Sequence, residues 1–353
     1  MEIPVLPGDG IGPEIAAITV QALERLDRLF DLGIRCTTHE IGAASLKRTG
    51  TTLPEPVIAA CRAAEGFILG PVSHLDYPPR AQGGRNPSGD LRIALDLYAN
   101  VRPSRCYEGL THWGRTPMDL IIVRENTEGF YADRNMYQGS GELMPSPDLA
   151  LSLRKVSAHG SRRIAQAAFR LARQRRRKVT AVHKANVLKM TDGLFLREVR
   201  SVAEAHPDVS YDEQLVDSMA ALLVRDAARF DVLVTTNMFG DILSDEAAEL
   251  SGSLGLAGSI NAGDAHCMAQ AQHGSAPDIA GKDVANPCAL LVSAGMLLGW
   301  LGEKHGAGFL RAQASLESAL ANMMRAPGTR TRDLGGTLGA RAFGAALLER
   351  LGN

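Results

Sequence analysis

The residues best suited to chemistry lie between Asp231 and Ile260, where the chain reads DVLVTTNMFGDILSDEAAELSGSLGLAGSI. Asp241 and Asp245 are four residues apart, so a helix there projects both carboxylates from one face. Two carboxylates so placed offer hard oxygen ligands to Mg²⁺ or Mn²⁺, with the other positions left to water or substrate. The plainer reading is that Asp241, Ser244 and Asp245 simply favour the positive end of a helix. A buried strand from Val232 to Val234 leads in, a break is expected at Asn237 to Gly240, and the helix resumes with Asp241.

Other charged groups stand where an ordinary surface role strains. Arg92 lies within Leu91-Arg-Ile-Ala-Leu, Arg102 within Tyr98-Ala-Asn-Val-Arg-Pro103, and Arg124 ends the apolar run Leu120-Ile-Ile-Val. Arginine forks bind carboxylates bidentately, and a site for a di- or tricarboxylic acid needs several of them. Each is equally open to reading as a structural ion pair. Arg124 fits that reading least, because α/β folds place ligands at the C-terminal ends of their strands. Lys184, in Val182-His-Lys-Ala-Asn186, is a candidate general base, and Asp217 is a further isolated carboxylate. The loop His273-Gly-Ser-Ala-Pro-Asp-Ile-Ala-Gly-Lys282 can wrap a nucleotide, with Asp278 accepting from a ribose diol and disfavouring a 2′-phosphate.

The elements that must position these groups alternate. Residues 2–6 read as a strand running into Pro7-Gly-Asp-Gly-Ile-Gly-Pro13. Pro13 opens a helix with Ile15, Ile18, Ala22, Leu26 and Leu29 at helical spacing. The GDGIG turn, which includes Ile11, can approach a cofactor or serve as a plain turn; its order is not GxGxxG. Strand-like runs follow at 34–39, 66–69, 120–123, 179–182 and 232–234, with helical stretches between most of them. That alternation predicts an α/β fold with a mainly parallel sheet. The long Pro- and Gly-rich stretch from Gly70 to Gly89 is expected to be functional or disordered. The segment from Asp133 to Asp148 reads as irregular, an arm that could reach a partner subunit.

At 353 residues the chain is too long for one simple core. Its formal charge of −1 gives no global case for nucleic acid or an anionic membrane. The basic run Arg173 to Lys178 is expected to be the solvated end of a helix. No apolar run reaches membrane-spanning length, and MEIPVLPGDG lacks the features of a signal peptide. The five scattered cysteines, none in CxxC spacing, fit buried thiols in a reducing cytoplasm.

NMFGDILSDEAAELSGSLGLAGS resembles the signature of the β-decarboxylating dehydrogenases, which act on isocitrate, homoisocitrate, 3-isopropylmalate, tartrate or D-malate. LPGDGIGPE, LYANVRP, VRENTEGFY, HKANVLKMTDGLF and HGSAPDIAGKDVANP match that family in order, across almost the whole chain. The resemblance implies a two-domain α/β fold, mixed and largely parallel, that is not a Rossmann fold. Residues 1–99 with 252–353 would form the large cofactor-binding domain, and 100–251 the middle domain with substrate, metal and dimer contacts. It implies that Arg92, Arg102 and Arg124 bind carboxylates and that Tyr131 protonates C3 after carbon dioxide leaves. Lys184 would take the C2 hydroxyl proton, and Asp217, Asp241 and Asp245 would hold Mg²⁺ or Mn²⁺. Lys184 and Asp217 would come from the neighbouring subunit of a homodimer, and such dimers can pair into tetramers. Ile11, His273, Gly274, Ser275, Ala276, Pro277, Asp278, Ile279 and Asn286 would bind NAD, with Asn186 near the nicotinamide and the substrate.

The substrate depends on the residues one and two turns before Arg92. Asn86, Pro87, Ser88 and Gly89 are small or polar where isopropylmalate enzymes present leucines. Ser88, helped by Asn86 or Arg85, is a candidate contact to a third carboxylate. The arginine expected of a homoisocitrate enzyme at Gly89 is missing, and Arg80 or Arg85 are candidates to replace it. The expectation is therefore isocitrate or homoisocitrate type first, 3-isopropylmalate second, tartrate or D-malate third. A non-catalytic regulatory subunit is the alternative from another class; a complete set of arginines, Tyr131, Lys184 and aspartates argues against it.

Overall fold

A computed structural model describes residues 1–131, 136 and 139–352. Among them the strands are, in chain order, β1 (Glu2–Leu6), β2 (Arg35–Thr38), β3 (Gly66–Leu69), β4 (Ala99–Arg105), β5 (Asp119–Glu125), β6 (Glu142–Ser146), β7 (Leu149–Ser152), β8 (Lys178–His183), β9 (Ser210–Leu215), β10 (Val232–Thr235), β11 (Gly258–Ala262) and β12 (Cys267–Ala271). The helices are α1 (Gly12–Phe30), α2 (Gly42–Thr49), α3 (Glu55–Ala63), α4 (Pro87–Ala94), α5 (Ala158–Arg173), α6 (Thr191–Glu204), α7 (Val216–Asp226), α8 (Asn237–Ser251), α9 (Cys288–His305), α10 (Ala307–Met324) and α11 (Ala340–Leu348). The chain packs as two units, one of residues 1–96, 107–111 and 252–353, the other of 97–106 and 112–251.

In the first unit the strand order is β2-β1-β3-β12-β11. The pairs are parallel except β11 with β12, a hairpin. Helix α9 is apolar around most of its circumference, with Leu290, Leu291, Ala294, Leu297, Leu298 and Leu301 buried. A helix of that character must be covered on several sides, and α9 packs on β11, β12, α1 and α10.

In the second unit the order is β4-β5-β10-β8-β9, parallel except for β4 with β5. Alternate residues of the central strands feed two cores. Val123, Val179, Val232 and Val234 join Ile164 and Phe169 of α5 and Phe195 and Val199 of α6 on one face. Leu120, Ile122, Val182 and Leu233 join Met219 and Leu223 of α7 and Leu243 and Ala247 of α8 on the other. Phe169 is fully buried, and truncating it to Ala would cost about 3–5 kcal/mol.

Three local expectations are corrected. Helix α8 begins at Asn237, so Asn237 to Gly240 is its first turn rather than a break. The run from Arg173 is not simply solvated: Arg175 Nε and the Arg176 backbone N–H donate at 2.8 and 2.9 Å to Asp231, which is buried at the entry of β10. A charge buried in this way needs a cationic partner. Residues 133–135, 137 and 138 of the expected arm lie outside the described residues, but 142–152 are regular, forming an antiparallel ribbon of β6 and β7.

Candidate active site

Arg124 is the penultimate residue of β5 and is 2 % exposed. Its three guanidinium nitrogens go to three side chains. Nε donates to Asn237 Oδ1 at 2.8 Å, one terminal nitrogen pairs with Asp241 Oδ1, and the other donates to the Tyr131 hydroxyl at 2.6 Å. That hydroxyl in turn donates to Asp241 Oδ2 at 2.8 Å. Gly240 makes the approach of α8 possible, because a Cβ there would lie 2.7 Å from Arg124 Cβ and Cγ.

Arg102, in β4, joins this cluster. Its Nε donates to Asn100 Oδ1 at 2.6 Å and its Nη1 to Ser244 Oγ at 2.7 Å. The same Nη1 lies 3.1 Å from Asp241 and 3.4 Å from Asp245. Burial, followed by the neighbouring Arg124 charge, pulls the Arg102 pKa down to about 10, against the opposing pull of Asp241 and Asp245. The Asp245 carboxyl is pushed up, chiefly by desolvation. Asp241 and Asp245 occupy the second and third turns of α8, and its first turn carries no acid. Dipole stabilisation falls off within the first turn, so the plain helix-start reading does not account for this pair.

Lys184 and Asp217 form a separate pair in the same unit. Lys184 Nζ donates to Asp217 Oδ1 at 2.5 Å, and this contact holds the Asp217 carboxyl below its usual range. The Lys184 backbone N–H donates to the fully buried Asp192, which Arg154 neutralises. Asn186 is exposed. Among the described residues no three His, Cys, Asp or Glu side chains gather as a metal site. Asp241 and Asp245 supply two hard oxygen donors; Asp217 of the same chain does not join them.

The first unit holds the remaining candidates. The Ile11 backbone N–H donates to the Ser275 carbonyl at 2.8 Å, and Ser73 Oγ shares a hydrogen with Ser275 Oγ at 2.7 Å. Gly10 has φ +56°, and a Cβ there would meet the Ser275 carbonyl at 2.0 Å, so only glycine lets the two loops touch. Asp9 secures the turn by accepting from the Ala43 and Ser73 backbones at 2.8 and 3.0 Å and from the Tyr77 hydroxyl. The GDGIG turn and the HGSAPD loop are therefore one cradle.

His273 Nδ1 contacts the Gly274 carbonyl at 3.0 Å, while its buried Nε2 has no hydrogen-bond partner among the described residues. Ala276 holds the loop at φ +39°. The short turn Pro277–Ile279 leaves Asp278 exposed. Asn286 is engaged internally, donating to Asp333 at 2.8 Å and accepting from the Cys288 backbone at 2.9 Å.

Around α4, Asn86 serves as N-cap, its Oδ1 accepting from the Gly89 N–H. Arg80 and Arg85, considered from sequence as anchors for a third carboxylate, are committed elsewhere: Arg85 to Asp90 and Glu55 at 2.6 Å each, Arg80 to Asp90 at 3.2 Å. Ser88 Oγ and an Arg92 nitrogen instead share the Gln270 side-chain oxygen, at 3.0 and 3.2 Å. Sequence reasoning missed Asn100, Asn237, Ser244 and Gln270, all neutral residues that orient charged ones. Only position offered a signal: Asn100 sits two residues before Arg102, and Ser244 lies between the two aspartates.

The isocitrate/isopropylmalate dehydrogenase family model matches residues 2–347. The isocitrate/homoisocitrate dehydrogenase of Thermus thermophilus is 41 % identical over 351 residues, covering 98 % of this chain and 97 % of that protein. The 3-isopropylmalate dehydrogenase of Methanothermobacter thermautotrophicus is 39 % identical, covering 99 % and 98 %. The crystal structure of isocitrate dehydrogenase from Methylococcus capsulatus superposes with a TM-score of 0.86 at 38 % identity, covering 100 % of this chain and 99 % of that one. A two-arginine, two-carboxylate cluster at the end of a largely parallel sheet, within a chain that matches these proteins end to end, makes this protein a dehydrogenase of the isocitrate/isopropylmalate dehydrogenase family.

Proposed function

We propose that the chain catalyses NAD-dependent, divalent-metal-dependent oxidative decarboxylation of a 3-substituted malate whose C3 substituent is anionic, of isocitrate or homoisocitrate type. The observation that carries the reading is Arg124 shared among Asn237, Asp241 and Tyr131 beside Arg102. Arg102 and Arg124 supply the charge-assisted bonds that anchor carboxylates, and Arg92 is assigned the same role. Lys184 accepts the C2 hydroxyl proton, and the Tyr131 hydroxyl, already donating to Asp241, returns a proton to C3 once carbon dioxide has left.

Asp241 and Asp245 suit a hard divalent cation: in the chain alone their charge is answered by guanidinium groups. Asp241 and Asp245 would hold such a cation, which would supply Lewis-acid polarisation of a substrate oxygen, while a bound nicotinamide would supply the hydride acceptor. The unpartnered Nε2 of His273 and the exposed Asp278 support an adenosine with a free ribose diol at the Ile11–Ser275 cradle. Polar Ser88 one turn before Arg92 supports an anionic substituent over an isopropyl group.

Asp217 stands apart from Asp241, which supports a metal site completed by a second copy. Exposed apolar surface in the same unit fits such a homodimer: Val187 and Met190 after β8, Ile242 on α8, and Leu143, Met144, Leu149 and Leu151 on the ribbon. Steady-state kinetics with isocitrate, homoisocitrate, 3-isopropylmalate, tartrate and D-malate, with NAD⁺ or NADP⁺ and with or without Mn²⁺, test the reaction. A strong preference for 3-isopropylmalate would defeat the substrate assignment. Mixing inactive Lys184→Ala and Asp241→Asn chains tests the shared site. Random pairing should restore about a quarter of wild-type activity, and no recovery would show that each chain acts alone.

A further inference from the structure

Gln270 lies in β12, and its side-chain oxygen is a shared acceptor. Ser88 Oγ donates to it at 3.0 Å, an Arg92 guanidinium nitrogen at 3.2 Å, and Asn261 Nδ2, from β11, at 3.4 Å. Ser88 and Arg92 are one turn apart on α4, so their side chains share a face. A carbonyl oxygen has two lone pairs, and three donors, two from α4 and one from β11, saturate it. The position of both α4 side chains is thus referred to one atom.

The charge of that atom matters as much as its place. A glutamate would accept the same three hydrogen bonds and hold the Arg92 donor more tightly. It would also set a negative charge beside the two residues that the proposed reaction assigns to substrate carboxylates. A glutamine gives the geometry without the charge.

Resting on that proposed reaction, we infer that Gln270 is the positioning residue that lets the α4 face accept an anionic C3 substituent. It holds Ser88 and Arg92 in register while staying neutral. A purely architectural role for the same hydrogen bonds would alter stability and leave substrate preference untouched.

The test uses Gln270→Glu, which is nearly isosteric, and Gln270→Met, which keeps the volume and removes the acceptor. KM and kcat are measured for isocitrate, homoisocitrate and 3-isopropylmalate over a range of pH. Gln270→Glu should raise KM for the two tricarboxylates about ten-fold or more, with kcat within about three-fold of wild type and a smaller rise for 3-isopropylmalate. That penalty should shrink as the pH falls toward the carboxyl range and the new side chain takes a proton. Gln270→Met should raise KM for all three acids by similar factors, without the pH dependence. Unchanged KM values in Gln270→Glu, or equal penalties on all three acids at every pH, would overturn the inference. Absence of turnover of every acid by the wild type would instead refute the reaction. Gln270 would then be judged by isocitrate-induced thermal stabilisation, which Gln270→Glu must diminish and which, left intact, would overturn its role.

Discussion

The cluster on β4, β5 and α8 and the cradle around Ile11 and Ser275 are built on opposite principles. In the first, charge answers charge: two buried guanidinium groups, two carboxylates and a phenol satisfy one another through side chains. In the second, backbone holds backbone, and the side chains facing it are a half-buried imidazole with one idle nitrogen and an exposed carboxylate. A site that must bind highly charged small molecules stores countercharge in advance, and its parts are expensive to remove singly. The proposed site for a mostly neutral adenosine needs shape and a few well-placed acceptors.

The largest expected effect lies in the charged cluster. Arg124→Met takes one partner each from Asp241, Tyr131 and Asn237. Because Asp241 is 40 % exposed and keeps Arg102, the loss is discounted from the usual cost of breaking a buried pair to about 2–3 kcal/mol of stability. Turnover should fall by roughly a thousand-fold or more, since carboxylate anchoring and the tyrosine's orientation go together. Arg124→Lys sharpens the comparison: it keeps the charge but cannot serve three partners. Denaturant melts should show most of the stability recovered, while kinetics show little rescue. Full kinetic rescue by Lys would mean that only the charge at this position matters.

Much of this contrast was legible in the residues, and what was hidden has physical causes. Strands of Val, Ile and Leu in β5, β8 and β10 announce an α/β fold because both of their faces are buried. Strand β4 carries Asn100, Arg102 and Pro103, and reads as a strand only once Asn100, Ser244 and Asp241 are known to satisfy Arg102. Strands β11 (GSINA) and β12 (CMAQA) carry small residues at most positions, which suits close packing under α9 better than strand propensity. The start of α8 was misplaced because Gly240 reads as a breaker, whereas it is there to let Arg124 pass. In the site, arginines and aspartates advertise themselves by type. Asn237, Ser244 and Gln270 carry no such mark, and their partners lie far away in sequence.

A smaller effect is expected in the cradle from Asp278→Lys. The side chain is exposed, so folding should be untouched. Replacing the proposed acceptor for the ribose diol by a cation should shift the ratio of NAD⁺ to NADP⁺ efficiency toward NADP⁺ by about ten-fold, equivalent to about 1.4 kcal/mol. An unmoved ratio would remove Asp278 from cofactor choice and leave the cradle's preference to backbone alone.

The smallest effect separates the two regions by pH. Burial lowers the pKa of His273 below the ordinary histidine value, because the charged ring would leave its cation without water. Above about pH 6.5 the ring is neutral in both folded and unfolded chains, and it makes no pH-dependent contribution. As the pH falls below that, the unfolded chain takes up a proton that the folded chain refuses, so stability declines until the folded-state pKa is passed. His273→Gln removes this one proton from the balance. The variant should therefore lose less thermal stability than wild type between pH 7.5 and pH 5.5, and NAD⁺ should stabilise it less at neutral pH, where the idle Nε2 is proposed to serve the nucleotide. Parallel melting curves, with NAD⁺ stabilising both proteins equally, would show that the idle nitrogen is a packing consequence of the Gly274 turn and that the cradle recognises its ligand through Asp278 and backbone groups only.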